Sequence, residues 1–199
     1  MVTSSPLDRQ AVHEQLERAR TTFHRLLDDA DKDDLRRRTE GTRWTNEQLL
    51  FHMLFGYILM RPLLILPRIF GRLPRGVGRG FARLLDAGTK PFDVVNYLGP
   101  VGGARVLGRR RMGTVLDRVI AFLHQRLDAE READFAHAMP YPTRWDPFFH
   151  DVMTVADLYR YPTQHFDLHR AQLTLADKDR RLREGFNPAA AESRWPGVR

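Results

Sequence analysis

His52 stands in Leu49-Leu50-Phe51-His52-Met53-Leu54-Phe55, a run that is apolar on every side of it. A helix of that composition is buried all round, and a buried imidazole costs free energy unless both ring nitrogens find partners. A hydrogen bond to a backbone carbonyl is the ordinary solution for a lone histidine. Here there is company. His165 and His169 sit four residues apart in Tyr161-Pro162-Thr163-Gln164-His165-Phe166-Asp167-Leu168-His169-Arg170. Four helical residues turn about 400°, so both imidazoles leave one face roughly one turn apart. Such a pair can converge on a single transition metal; chance placement on a polar helix face is the alternative. With His52 the pair supplies three nitrogen ligands, the number expected of a metal site that keeps one position open.

The surrounding pattern is helical. Ser5-Pro6 offers a cap and a first-turn proline, and Val12, Leu16, Ala19, Phe23 and Leu26 follow at helical spacing up to the acidic run at 28–34. A second helix starts at Thr45, whose hydroxyl forms a capping box with Gln48, and carries His52 two turns in. A third opens at Thr114 with Asp117 in the equivalent place, buries Leu116, Val119, Leu123 and Leu127, and stops before Pro140. The fourth begins at Thr154 with Asp157 and turns Leu158, His165 and His169 inward. Pro162 should kink or restart that helix, with Thr163 able to recap it; a helix starting at Pro162 would keep both histidines helical all the same. Strand patterning is absent over any convincing length. Four amphipathic helices with one long link, between the second and third, predict an all-α four-helix bundle with a crossover.

At 199 residues the chain suits one domain with a real core, read here as 1–175 followed by a polar C-terminal tail at 176–199. The absence of cysteine excludes disulfides, zinc ribbons and cysteine nucleophiles, and fits a reducing compartment. With no apolar signal segment in the first thirty residues, a cytoplasmic protein is expected. The longest apolar stretch, 49–70, is interrupted by His52, Arg61, Pro62, Pro67 and Arg68, and reads as a core helix rather than a membrane span.

Charge is concentrated in one place. Residues 61–112 hold ten arginines and Lys90 against Asp86 and Asp93, a balance of +9 within a chain whose net charge is +7. Nine of the fourteen glycines lie there too, which makes the segment an insertion with its own chemistry. Its arginines alternate with Leu66, Ile69, Phe70, Leu73, Phe81 and Leu84, a pattern that predicts short amphipathic turns and at least one helix near 79–87. Such a surface could meet anionic lipid, nucleic acid or an anionic thiol. The preferred expectation is a solvated helical insertion whose arginine stems cover its apolar residues. No nucleic-acid partner is expected, because basic and aromatic residues do not interleave as in nucleic-acid binders. The glycines at 99–103 follow no strand and lack a Walker lysine, so they are not a phosphate loop.

Trp44-Thr45-Asn46-Glu47-Gln48-Leu49-Leu50-Phe51-His52, with tryptophan eight residues before histidine, resembles the second helix of the DinB/YfiT-like family. The H-x-x-x-H segment at 161–173 resembles its fourth, and Trp145-Asp146-Pro147-Phe148-Phe149 a segment that precedes that helix in some members. The resemblance covers roughly 8–60 and 112–173. It implies an up-down-down-up bundle with a divalent metal (zinc, nickel or iron) on His52, His165 and His169. It also implies transferase or isomerase activity on a small-molecule substrate, with mycothiol, bacillithiol or glutathione as thiol cosubstrate. The 61–112 insertion departs from the compact family pattern.

An open position on a three-imidazole metal would accept water or a thiol and lower its pKa. A cysteine-free chain cannot supply that thiol itself. Asp146, Asp151 and Asp157 lie close enough in sequence to orient a ligand imidazole, with capping the expected role of Asp157. His150 is a weaker candidate for a fourth ligand, and His13, His24, His124 and His137 read as surface or boundary residues. The contrasting class is a non-catalytic, metal-stabilised bundle that acts as a binding or stress-response module through its basic insertion. A homodimer is a candidate assembly for either.

Overall fold

The computed structural model describes residues 7–175. Ser5, Pro6 and the 176–199 tail lie outside the described residues. Helix α1, Arg9–Asp29, is capped by Asp8, whose carboxylate accepts from the Ala11 N–H at 3.0 Å. Its expected stripe of Val12, Leu16, Ala19, Phe23 and Leu26 is buried. A five-residue helix α2, Lys32–Arg36, follows, closed by a reciprocal box between Asp31 and Asp34.

Helix α3, Asn46–Phe70, begins at the expected Thr45–Gln48 capping box. It runs on through Pro62 and Pro67. Each internal proline costs roughly 3 kcal/mol. Against that, α3 buries Leu49, Leu50, Met53, Leu54, Tyr57, Met60, Leu63 and Leu64, each contributing about 1.5–3 kcal/mol, so burial wins. Among the described residues α3 is the one helix long and apolar enough to cross a bilayer; 61% of its most apolar window is buried inside the protein.

Residues 61–112 are mostly helical, with a break at 71–74. Helix α4, Arg75–Ala87, covers the short helix expected near 79–87. Helix α5, Thr89–Ala129, then absorbs the rest of the insertion together with the expected third helix. The start at Thr114 is therefore corrected. The Thr114 hydroxyl donates back to the Arg110 carbonyl at 3.4 Å instead of capping, and the break falls earlier, at Gly108 (φ 63°, ψ 164°). Between the two, Met112 and Gly113 are buried and keep the chain wound.

After α5 and a 3-10 turn at Glu132–Ala136, strands β1, Ala138–Pro140, and β2, Val152–Thr154, pair antiparallel with Met139 opposite Met153. Three-residue strands are too short for alternation to show, which is why none was expected. Thr154 ends β2 and caps helix α6, Val155–Arg170, by the expected box with Asp157. Helix α6 passes through Pro162 as one element, neither restarting nor beginning there.

Helix α1 packs on α5 and α6, and α3 packs on the same two. Contacts between α3 and α5 advance along both together: Trp44 meets Tyr97, Phe51 meets Gly103, and Arg61 lies over the Phe122 ring. Contacts between α3 and α6 run oppositely, with His52 at His169 and Gly56 at His165. Beyond the C-terminal end of α5, Glu130 is 7% exposed and joins three helices. It forms an ion pair with Arg68 of α3, accepts from the Tyr159 hydroxyl of α6 at 3.1 Å, and lies 3.5 Å from Arg126 of α5. Removing one partner strands the other charge in low dielectric, so Glu130→Ala should lower stability by about 3 kcal/mol, read as a shift of the urea midpoint at unchanged slope.

Candidate metal centre

Helix α3 presents His52 and, one turn on, Gly56; α6 presents His165 and His169. All three imidazoles are buried, at 3%, 3% and 7% exposure. One ring nitrogen from each lies within 4.8 Å of the others, with no cysteine or carboxylate in the cluster among the described residues. The closest pair is His52 Nε2 and His169 Nε2 at 3.2 Å. Around a tetrahedral ion with bonds of about 2.0–2.1 Å the nitrogens stand roughly 3.4 Å apart, so rotations of the rings that bring the widest pair together by a little over an ångström would complete the cluster.

The other ring nitrogens decide which atoms are presented. His165 Nδ1–H donates to Asp146 Oδ2 at 2.8 Å, and His169 Nδ1–H donates to Gln172 Oε1 at 2.7 Å. Both bonds fix the tautomer with the Nε2 lone pair toward the cluster. His165 Nε2 is buried there with no protein partner, as is His52 Nδ1. An unpartnered nitrogen, a carboxylate behind it and two further imidazoles fit a divalent cation; a closed hydrogen-bonded core would leave no such atom.

Burial, reinforced by the neighbouring His169 and His165, pushes the His52 pKa well below its ordinary value. Burial and then His165 push His169 down to about 3, against the opposing bond to Gln172. Both rings are thus held neutral, the form that binds metal.

Asp146 comes from the loop between β1 and β2. Its Oδ2 also accepts from the Tyr161 hydroxyl at 3.1 Å, and its Oδ1 from the Phe148 N–H at 3.0 Å. Burial and the adjacent carboxylate raise the Tyr161 pKa well above 10, so the phenol remains a donor. Of the aspartates named from sequence, Asp146 orients His165, Asp157 caps α6, and Asp151 is exposed. His150 is exposed and lies outside the cluster of His52, His165 and His169. His13 and His124 stack across the α1–α5 seam, and His24 pairs with Asp117 there, while His137 lies past the helices.

A small, partly open cleft lies beside His52 and His165. Phe55 and Leu59 of α3, Phe92 and Asn96 of α5, and Trp145 wall it. Trp145 stacks on Phe92 at 4.3 Å and donates to Thr89 Oγ1 at 3.3 Å, while Trp44 lies 4.5 Å from the His52 ring. The 61–112 segment therefore forms one wall of the pocket. Sequence reasoning missed Gly56, Gln172, Phe92 and Asn96. Gly56 alone carried a signal, lying four residues past His52 on the same helical face.

A Cβ at position 56 would sit 2.7 Å from His165 Cδ2, on a ring already tethered by Asp146. Gly56→Ala should weaken metal binding at least about tenfold in chelator competition, with helical circular dichroism unchanged. In metal-free protein, the unfolded chain protonates a histidine near pH 6.5 while folded His169 resists until about 3. Stability therefore falls as pH drops through that window, by about 1.4 kcal/mol per pH unit for this residue. His169→Gln should flatten the slope of unfolding free energy between pH 4.5 and 6 by about that amount.

Residues 15–173 match the sequence model of the DinB superfamily. No curated protein and no solved structure gives a significant match to the chain. The matched region takes in His52, His165, His169 and Asp146, and the chain belongs to the DinB superfamily.

Proposed function

We propose that this is a metal-dependent, thiol-using transferase or isomerase in which His52, His165 and His169 hold a divalent transition ion. The observation that carries the reading is His165 Nε2: buried, unpartnered, anchored from behind by Asp146, and at the edge of a pocket. A bound ion supplies Lewis-acid chemistry, lowering the pKa of a thiol or water that reaches it.

The residues around it do the rest. Asp146 fixes the His165 ring, Tyr161 holds Asp146, and Gln172 holds His169. Phe55, Leu59, Phe92 and Trp145 give the pocket apolar walls. The single carboxylate lining the pocket is Asp146, and it is committed to His165 and Tyr161. Among the described residues lining the pocket, no free carboxylate is therefore at hand to act as a general base. A thiol, with a pKa of about 8.5, gives up its proton with far less help than water at about 15.7, which favours thiol transfer over hydrolysis. The thiol enters from outside, since the chain has no cysteine.

We also infer an up-down-down-up bundle of α1, α3, α5 and α6. The co-directional contacts of α3 with α5 and the opposed contacts of α3 with α6 support it. On this reading 1–175 is one domain in a reducing cytoplasm.

Protein purified without a histidine tag should contain one divalent ion per chain by elemental analysis, and His169→Ala should contain none. Chelation should shift the unfolding temperature only slightly, because the apolar core stands without the ion; an unfolded apo protein would make the ion structural. A transfer screen with mycothiol, bacillithiol and glutathione should give turnover with at least one thiol, abolished in His169→Ala. Unchanged metal content in the mutant rules out the site, and turnover without any thiol rules out the reaction class.

A further inference from the structure

Of the eleven large apolar side chains exposed among the described residues, ten lie between Ile65 and Val106. Arginine stems do not cover them: Ile65 remains 52% exposed, Leu84 66% and Val106 73%. They form stripes on three consecutive helices that touch one another, with Ile65 and Ile69 on α3, Val77 and Leu84 on α4, and Val94 and Leu98 on α5. Helix α4 shows the arrangement most clearly. Phe81 stacks on Phe70 at 4.3 Å and Gly78 is buried near Pro140, which anchors one face. Val77, Arg79, Arg83 and Leu84 are left outward.

The same segment carries the +9 balance. Arg68 is its one cation in an ion pair among the described residues, and that pair points inward to Glu130. Arg72, Arg79, Arg83, Lys90, Arg105 and Arg110 are exposed.

We propose that the 61–112 segment docks the protein on an anionic lipid bilayer. Two features must be satisfied together, unpaired cations and uncovered aliphatic side chains. A second copy of this chain across a two-fold axis would set like charges against each other. A nucleic acid would pair the cations and leave the aliphatic residues in water. Only a bilayer interface takes both: lipid anions pair with arginine and lysine while the boundary region accepts the aliphatic groups, with long basic side chains reaching back to the headgroups.

The test is sedimentation of the full chain with phosphatidylcholine vesicles, with and without phosphatidylglycerol. Binding is expected only to the anionic vesicles. The double substitution Arg79→Glu/Arg83→Glu should weaken it by roughly 30-fold or more, and Leu84→Ser by roughly tenfold. Metal content and circular dichroism should be unchanged in both, since these exposed positions are not in the metal cluster. Three results would overturn the proposal: no binding to anionic vesicles, binding that Leu84→Ser leaves untouched, or binding equalled on vesicles lacking phosphatidylglycerol. Concentration-dependent dimerisation without vesicle binding would assign the face to a second copy. Retention on a short DNA duplex without vesicle binding would assign it to nucleic acid.

Discussion

Withdrawing three imidazoles from water is the demand around which the centre of this molecule is arranged. Two of their ring nitrogens are served by Asp146 and Gln172, and a third contact joins His52 to His169. His52 Nδ1 and His165 Nε2 remain without protein partners. Each buried unsatisfied group costs about 1–3 kcal/mol, so the two together are a large part of a typical folding stability of about 5–15 kcal/mol. Apolar residues of the same volume would pack there at no such cost. The arrangement is coherent as a site that takes a ligand, and the neutral state of His52 and His169 prepares it for a cation.

Holding that arrangement falls to elements far apart in sequence. The loop bearing Asp146 is pinned at its base by the β1–β2 pair, by the Tyr141 hydroxyl donating to the Leu63 carbonyl at 2.9 Å, and at its tip by Trp145 on Phe92. Helix α3 answers two requirements at once. It supplies the largest share of the apolar core, and it leaves room at Gly56 for the His165 ring to approach its backbone. Preorganisation of this kind is what distinguishes a ligand shell from three histidines that happen to be near one another.

What could be read from the residues alone was what local rules govern. The Thr45–Gln48 and Thr154–Asp157 boxes mark helix starts because a cap is decided within four residues. The convergence of His52 with His165 and His169 was legible because an apolar setting and a four-residue spacing both limit where an imidazole can go. Thr114 misled for the same local reason. It has a cap's sequence, but the helix was already wound ahead of it, and its hydroxyl took a carbonyl instead. Asp146 could be named only as one of three aspartates, since an eleven-residue loop can aim its carboxylate in many directions. The exposed stripes at 65–106 were invisible, because the pattern tells which residues share a helical face and not whether anything covers it.

Gly108 divides α5 into halves with different work. After it, the helix meets α1 through compensated pairs: His24 with Asp117 at 2.8 Å, Glu17 with His124 at 2.7 Å, and His13 with Asp128 at 2.9 Å. Before it, the helix carries Phe92 and Asn96 into the pocket on one side and uncovered aliphatic residues on the other. The half that shapes the pocket is thus the half with the fewest buried residues. Changes at 89–98 can reshape the pocket wall while His52, His165 and His169, held by α3 and α6, stay where they are. The histidine cluster and one wall of the pocket are in this way held by different parts of the chain.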